Sequence, residues 1–260
     1  MYRVVLLLST SSLNGYGIHR IFSFAKKAKY DGLDLFFTST NHDLWDKEYI
    51  KELSDTFKVP VLSMTISLKW MNEKKVDQII DIAKFVWVQV ITFSPPHFSD
   101  KNITWFNKYL LKVKRDTHLS VAIQNVESKF IFFIIPEYKN ATLSEIKRIT
   151  WDTTLNLLGI DSSSGMDILK AQKHLGNSVK NVFFADKRWS KIGLLPWASG
   201  GGISYLPLES FFMKLKAGWY NWFITLKVKP SELWVGNEER VLQNLEFAKN
   251  YYIKHYLSFK

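Results

Sequence analysis

The sequence predicts an α/β fold, a single (β/α)8 TIM barrel that comprises residues 1–260 as one domain. Eight short apolar runs alternate with stretches in which apolar residues recur at helical spacing. Continuously apolar runs are typical of parallel strands that helices cover on both faces. An open doubly wound sheet is the alternative, but eight such units in 260 residues favour the closed barrel.

The first four strands are predicted from apolar runs, each followed by an amphipathic stretch. The first run, "RVVLLLS", is rich in Val and Leu, and Ile18, Ile21 and Phe22 then recur at helical spacing. Pro95 and Pro96 end the fourth run. The predicted strands are 3–9, 32–37, 59–67 and 88–93, and the predicted helices are 18–30, 46–57, 73–85 and 103–115.

The second half of the chain is less regular but repeats the same unit. Thr142 and Glu145 form a capping box for the fifth helix, and Pro207 and Gly218 bracket the seventh. The predicted strands are 119–125, 157–161, 179–186 and 221–228, and the predicted helices are 142–150, 165–175, 207–218 and 238–256.

Composition narrows the class of protein. The net charge of +11 comes from lysines spread along the whole chain, which favours a solvated coat over a nucleic-acid patch. The chain has no cysteine, which excludes disulfides and thiolate metal sites. No apolar run approaches about 18 residues, the length of a membrane span. We expect a cytoplasmic protein without a membrane partner. Lys and Ile are abundant and Gln is scarce, a composition that is typical of a thermophilic source.

Polar residues follow most of the predicted strands, where the active site of a barrel lies. Strand ends also meet water, so polar groups are expected there without any function. The candidate residues at the mouth are His97, Gln124, Asn125, Asp161, Ser164, Asp186, Arg188, Trp197, Gly201 and Lys227.

Five motifs occur in an order that resembles one family. They are "AKKAKYDGLDLFF", "VAIQN", "LLGIDSSSG", "VKNVFFADKR" and "LPWASGGGISYLPLESFFMKLKAGWYNWFITLKVKP", and together they extend over nearly the whole chain. The sequence resembles the xylose isomerase-like TIM barrels, which include sugar-phosphate isomerases and epimerases and endonuclease IV. The resemblance implies a barrel that acts on a sugar or sugar phosphate.

The resemblance also implies a metal site, and this chain departs from it. The family holds one divalent metal with Glu, Asp, His and Glu from four strand ends. By motif position these ligands fall on Gln124, Asp161, Phe183 and Lys227, and a nearby family histidine falls on Ser164. An amide, a phenyl ring and an ammonium group do not replace carboxylate and imidazole ligands, so we expect a degenerate site with no metal and no cofactor.

Lys227 suggests what replaced the metal. Its flexible side chain could bring an ammonium group to the vacated position, to pair with Asp161 and also with Gln124. The alternative is that Lys227 points sideways and extends to solvent.

The other candidates each have two interpretations. Arg188 could bind a carboxylate or phosphate, or simply pair with Asp186. Gly201, in "SGGGIS", could offer backbone amides to an anion, or belong to a mobile loop. His97 could be an acid or base near neutral pH, or a loop histidine without a function. Trp197 could stack on a sugar face, or lie near the mouth by chance in a chain with 10 Trp.

Three functions remain open at this stage. The first is a divergent, metal-independent barrel that binds a small sugar-like or anionic ligand and whose catalytic activity is undecided. The second is an active isomerase or lyase that uses Lys227. The third, a basic nucleic-acid-binding relative of endonuclease IV, is disfavoured by the lack of His at the matched metal position. The apolar segment 130–135, "FIFFII", could cover the barrel or form a homo-oligomer contact.

Overall fold

Eight parallel strands close into a barrel in the computed structural model of this chain. Each strand pairs with the next in sequence, and the eighth pairs with the first, which confirms the predicted (β/α)8 architecture. The strands are β1 Val5–Ser9, β2 Gly32–Phe37, β3 Val61–Ile66, β4 Val90–Phe93, β5 Ser120–Gln124, β6 Asp152–Asn156, β7 Val179–Phe184 and β8 Phe223–Leu226. The structure describes residues 4–38, 42–69, 71–99, 105–116, 118–127, 130–131, 134–139, 141–160, 166–188, 191–196 and 206–258.

Helices surround the barrel and bury their apolar faces against it. The helices are α1 Ile18–Lys27, α2 Lys47–Phe57, α3 Glu73–Phe85, α4 Phe106–Asp116, α5 Leu143–Thr150, α6 Ile168–Leu175, α7 Leu208–Ala217 and α8 Glu238–Tyr252. The capping box of α5 forms as predicted from Thr142 and Glu145. Within the described ranges, no helix is both long and apolar enough to cross a bilayer.

The interior of the barrel holds both apolar and polar side chains. Val90 and Phe223, the first residues of β4 and β8, pack with Leu7 from the middle of β1. Asn181, the register partner of Phe223, is fully buried; it donates from Nδ2 to Ser63 Oγ (3.2 Å) and accepts at Oδ1 from Thr225 Oγ1 (2.8 Å). Hydrogen bonds across the barrel thus replace part of the apolar packing that usually fills its interior.

The prediction of the sixth strand over 157–161 is wrong. β6 comprises Asp152–Asn156, and a 3-10 turn, Leu157–Gly159, follows it. The strand is centred on threonines whose hydroxyls have buried partners: Thr153 lies 3.0 Å from Ser178 Oγ, and Thr154 lies 2.7 Å from Thr92 Oγ1. Because these hydroxyls are paired, polar residues can form the strand and the apolar run becomes the turn.

Two short hairpins were not predicted from the sequence. Phe130–Ile131 pairs with Ile135–Pro136, and Asp186–Arg188 pairs with Lys191–Leu194. β7 therefore ends at Phe184, before the predicted end at residue 186. In the second hairpin Gly193 has φ +76° and approaches Lys229, whose backbone N–H donates to the Gly193 carbonyl (2.8 Å). This contact holds the hairpin beside the end of β8.

We predict that Asn181→Ala lowers the free energy of unfolding by about 2–4 kcal/mol, because it leaves the hydroxyls of Ser63 and Thr225 without their partner and opens a cavity. Urea titration measures the change. Asn250→Ala, on the exposed face of α8, is the matched control and should stay within about 0.5 kcal/mol of the parent. Equal effects of the two substitutions would contradict a hydrogen-bonded interior.

Candidate functional site

A cavity of about 630 Å³ lies over the carboxyl ends of β3, β4 and β5. Ser67 and Ser94 directly follow β3 and β4, and Gln124 is the last residue of β5, so three neighbouring strands point polar groups into it. The lining residues are Ser67, Leu68, Lys69, Ser94, Pro95, His97, Ser99, Gln124, Val126, Glu137 and Tyr138.

The outer wall of the cavity is formed by two loops that pair as a short antiparallel ladder. His97 forms a β-bridge with Tyr138. The Phe98 N–H donates to the Glu137 carbonyl (2.9 Å), and the Lys139 N–H donates to the Pro96 carbonyl (2.8 Å). Because Pro96 lacks an N–H, the ladder uses its carbonyl alone. The ladder fixes both loops over the ends of β4 and β5.

His97 is partly buried in this wall, and its two ring nitrogens face different groups. Nδ1 accepts from the Ser99 N–H (3.3 Å) and lies 2.6 Å from Ser99 Oγ, so the proton of the neutral ring belongs on Nε2. Nε2 lies 4.0 Å from Glu137 Oε1. The ring thus lies between a hydroxyl group and a carboxylate in the wall of the cavity.

Gln124 carries an unpartnered polar atom at the floor of the cavity. Its Nε2 donates to Ser94 Oγ (2.7 Å), while Oε1 is buried and accepts no hydrogen bond from a described residue. The residue is only 6% exposed. Leaving a buried acceptor without a hydrogen bond costs about 1–3 kcal/mol.

Asn125, the next residue, holds the scaffold together and does not face the cavity. Its Oδ1 accepts from the Asn156 N–H (2.8 Å), and its Nδ2 donates to the Asn156 carbonyl (2.9 Å). This pair of bonds joins the ends of β5 and β6. Gly159 packs so closely that a Cβ there would lie 2.7 Å from the Asn125 carbonyl oxygen.

Lys227 follows β8 and places its amine between two aromatic rings. Nζ lies 4.2 Å from the ring centroid of Phe183 and 5.0 Å from that of Phe36. It forms neither a hydrogen bond nor an ion pair with any residue in the described part of the chain, Gln124 included. Burial lowers the pKa of Lys227 to about 8, and the Asp34 carboxylate opposes that shift. The side chain therefore stays in the mouth and does not extend sideways.

The backbone on both sides of Lys227 is fixed by hydrogen bonds. Ser12 Oγ accepts from the Val228 N–H (3.0 Å) and donates to the Leu226 carbonyl (3.5 Å). The Lys227 N–H itself donates to the Phe184 carbonyl (3.1 Å). The backbone position of Lys227 is thus fixed by hydrogen bonds, and the position of the amine depends on the side-chain torsion angles of Lys227.

The remaining predicted site residues are either structural or outside the described residues. Asp186 is buried, and its Oδ1 accepts from the N–H groups of Lys187 (2.8 Å) and Leu206 (3.0 Å). Arg188 is exposed on the second hairpin. The proposed partner of Lys227, Asp161, lies outside the described residues, as do three others: Ser164, Trp197 and Gly201.

Several residues of this site were missed by sequence reasoning. Glu137 and Tyr138 reach the cavity only through the loop pairing, which no local pattern indicates. Ser94 and Phe36 could have been found, because Ser94 follows β4 directly and Phe36 alternates with Asp34 on β2. Asn156 of β6 is the register partner of Phe183. The sequence analysis missed it because it predicted the sixth strand over 157–161.

Comparison with known proteins places the fold. Similar solved structures include D-allulose 3-epimerase from Methylomonas sp. in complex with D-allulose (TM-score 0.67, 13% identity, 98% of both chains) and the IolI protein with a zinc atom (TM-score 0.68, 12% identity, 98% of this chain and 100% of that one). A xylose isomerase-like TIM barrel fused to a 4-hydroxyphenylpyruvate dioxygenase also matches (TM-score 0.67, 10% identity, 96% of this chain and 42% of that one). The chain has the xylose isomerase-like TIM barrel fold. No protein-family model and no curated protein matches the sequence.

The side chains at the strand ends do not fit the divalent metal that the resemblance implies. Phe183 has no donor atom, and Lys227 brings a cation within 4.2 Å of its ring centroid. Gln124 offers a neutral amide already engaged with Ser94. Among the residues that the structure describes, no group of three or more His, Cys, Asp or Glu side chains could hold a metal ion. A second cation beside the Lys227 ammonium would be repelled.

We predict that Lys227→Met is more stable than the parent at pH 7 and that this advantage disappears as the pH rises. The pKa of Lys227 is about 8 in the folded protein against 10.5 ordinarily, so between these values the unfolded chain binds more protons and the parent gains stability with pH. The gain is up to about 3 kcal/mol. Urea titrations of both proteins from about pH 7 to 10.5 measure it, with the exposed Lys173→Met as control; a difference independent of pH would contradict the lowered pKa.

Proposed function

We propose that this protein binds a small sugar-like ligand in the cavity over β3, β4 and β5 without using the metal of its structural relatives. The cavity volume, about 630 Å³, is ample for a monosaccharide. Hydroxyl and amide groups from Ser67, Ser94 and Gln124 line its floor, and such groups exchange hydrogen bonds readily with the hydroxyls of a sugar.

The observation that carries this proposal is the unpartnered Oε1 of Gln124. An unpaired acceptor buried beside a polar cavity is costly, and a turn of the Gln124 side chain toward the cavity would let a ligand hydroxyl satisfy it. The adjoining Nε2 and Ser94 Oγ give a donor and an acceptor a few ångströms away. Two neighbouring hydroxyls of one ligand could therefore form hydrogen bonds with this pair of residues. The likeness to the D-allulose 3-epimerase structure supports the same ligand class.

Metal independence is supported by the chemistry of the residues that replace the family ligands. A metal would hold sugar oxygens and polarise a carbonyl. Here the neutral amide of Gln124 and the amine of Lys227 take up the strand ends from which those ligands come. Lys69, on the rim of the cavity, provides positive charge for a ligand that bears an anionic group, while Glu137 disfavours anions on its own side.

We predict that Gln124→Ala weakens the binding of D-fructose or xylitol about tenfold, because the variant loses both polar ends of the amide. Isothermal titration calorimetry measures the affinity. Gln243→Ala, on the exposed face of α8, is the matched control and should bind as the parent does.

The same titration is repeated after dialysis against EDTA and again with added Mn²⁺ or Zn²⁺. Unchanged affinity is the expected outcome. Binding that disappears with EDTA and returns with a divalent ion would overturn metal independence, and failure of the parent to bind any polyol or ketose would overturn the proposed ligand class.

A further inference from the structure

The amine of Lys227 is placed as a nucleophile would be. It stands at the mouth of the barrel, directly after β8, on backbone that Ser12 fixes from both sides. The faces of Phe36 and Phe183 lie 5.0 Å and 4.2 Å from it, and neither ring accepts a proton or offers a carboxylate. A lysine that only neutralised a buried charge would be expected to touch it, and no described carboxylate contacts this one.

We propose that the Lys227 amine forms an imine with the carbonyl group of an open-chain, sugar-like aldehyde or ketone. The proposal rests on the proposed function in one respect, namely that the carbonyl compound is a hydroxylated molecule that enters the mouth of the barrel. The imine goes beyond the proposed function in two respects. It requires a covalent bond to the protein, and it requires a ligand with a free carbonyl group, which a polyol lacks.

The reaction balances without an oxidant, reductant or co-reactant. The nitrogen lone pair of the neutral amine attacks the carbonyl carbon, and the carbonyl oxygen takes up a proton as nitrogen loses one, which gives a carbinolamine. Loss of the hydroxyl as water then forms the carbon–nitrogen double bond. Protonation of the imine nitrogen gives an iminium ion, which draws electrons from the adjacent carbon as the protonated carbonyl would.

The surroundings of Nζ suit each stage of this reaction. Desolvation favours the neutral amine that attacks, since it lowers the pKa of Lys227 to about 8. The two phenyl faces that now lie against the ammonium group would lie against the iminium ion as well, because both carry one positive charge. The Asp34 carboxylate, close enough to oppose the lowering of the pKa, stabilises the same charge.

Reductive trapping tests the proposal. The protein is incubated with glycolaldehyde or dihydroxyacetone, the imine is reduced to a secondary amine with sodium borohydride, and the modified lysines are identified by peptide mass spectrometry. We expect Lys227 to be modified at least about tenfold more than the exposed Lys229 two residues away. Equal modification of the two lysines would overturn the proposal.

Two variants test whether the adduct depends on the Lys227 amine and on its aromatic neighbours. Lys227→Arg retains the positive charge but cannot form the imine, so the major adduct should vanish while the circular dichroism spectrum is kept. Phe183→Leu retains the amine but removes one aromatic face, and we expect trapping at Lys227 to fall severalfold. Trapping that persists unchanged in Phe183→Leu would contradict the role of the rings.

The outcomes separate this inference from the proposed function. Calorimetric binding of D-fructose without an adduct at Lys227 would overturn the imine and leave the ligand class standing. An adduct at Lys227 in a protein that binds neither D-fructose nor xylitol would support the imine and overturn the proposed sugar-like ligand.

Discussion

A buried carboxylate that interacts with a half-buried amine is the constraint on which the barrel mouth depends. Asp34 is fully buried inside the barrel, where its oxygens accept from Ser9 Oγ (2.9 Å) and Thr65 Oγ1 (2.9 Å). A carboxyl group without hydrogen-bond partners is expensive in such a place, so these two hydroxyls stabilise it. Its charge opposes the loss of the Lys227 proton that burial favours. The ammonium group in turn loses water and gains the two phenyl faces.

The closed register divides the mouth into two regions with different chemistry. β3, β4 and β5 end in neutral hydroxyl and amide groups around a cavity, with His97 in its wall. β8 ends in an amine against rings from β7 and β2. The hydrogen-bonding groups of the cavity and the amine of the proposed imine therefore belong to different strands.

The sequence was sufficient for the architecture, since fully buried parallel strands produce apolar runs that can be counted. It failed at β6, where Thr153 and Thr154 form a strand only because hydroxyls on other elements pair with them. The sequence was sufficient to predict Gln124 and Lys227 as site residues, because the end of an apolar run is visible in the sequence itself. It could not identify Glu137 or Tyr138, because these reach the cavity through a ladder with residues about 40 positions earlier, and such pairing leaves no periodic signal.

The resemblance implies a metal ligand at the end of β8, and the proposed imine would give the lysine found there a comparable chemical role. A divalent metal in this fold would act on a sugar carbonyl as a Lewis acid, withdrawing electrons from its carbon. An iminium ion does the same through a covalent bond, and it needs a desolvated amine with no carboxylate in contact. Carboxylate ligands retained around Lys227 would raise its pKa and keep it protonated. Phe183 is compatible with such an amine, because its ring brings neither a carboxylate nor a base to the neighbouring strand end.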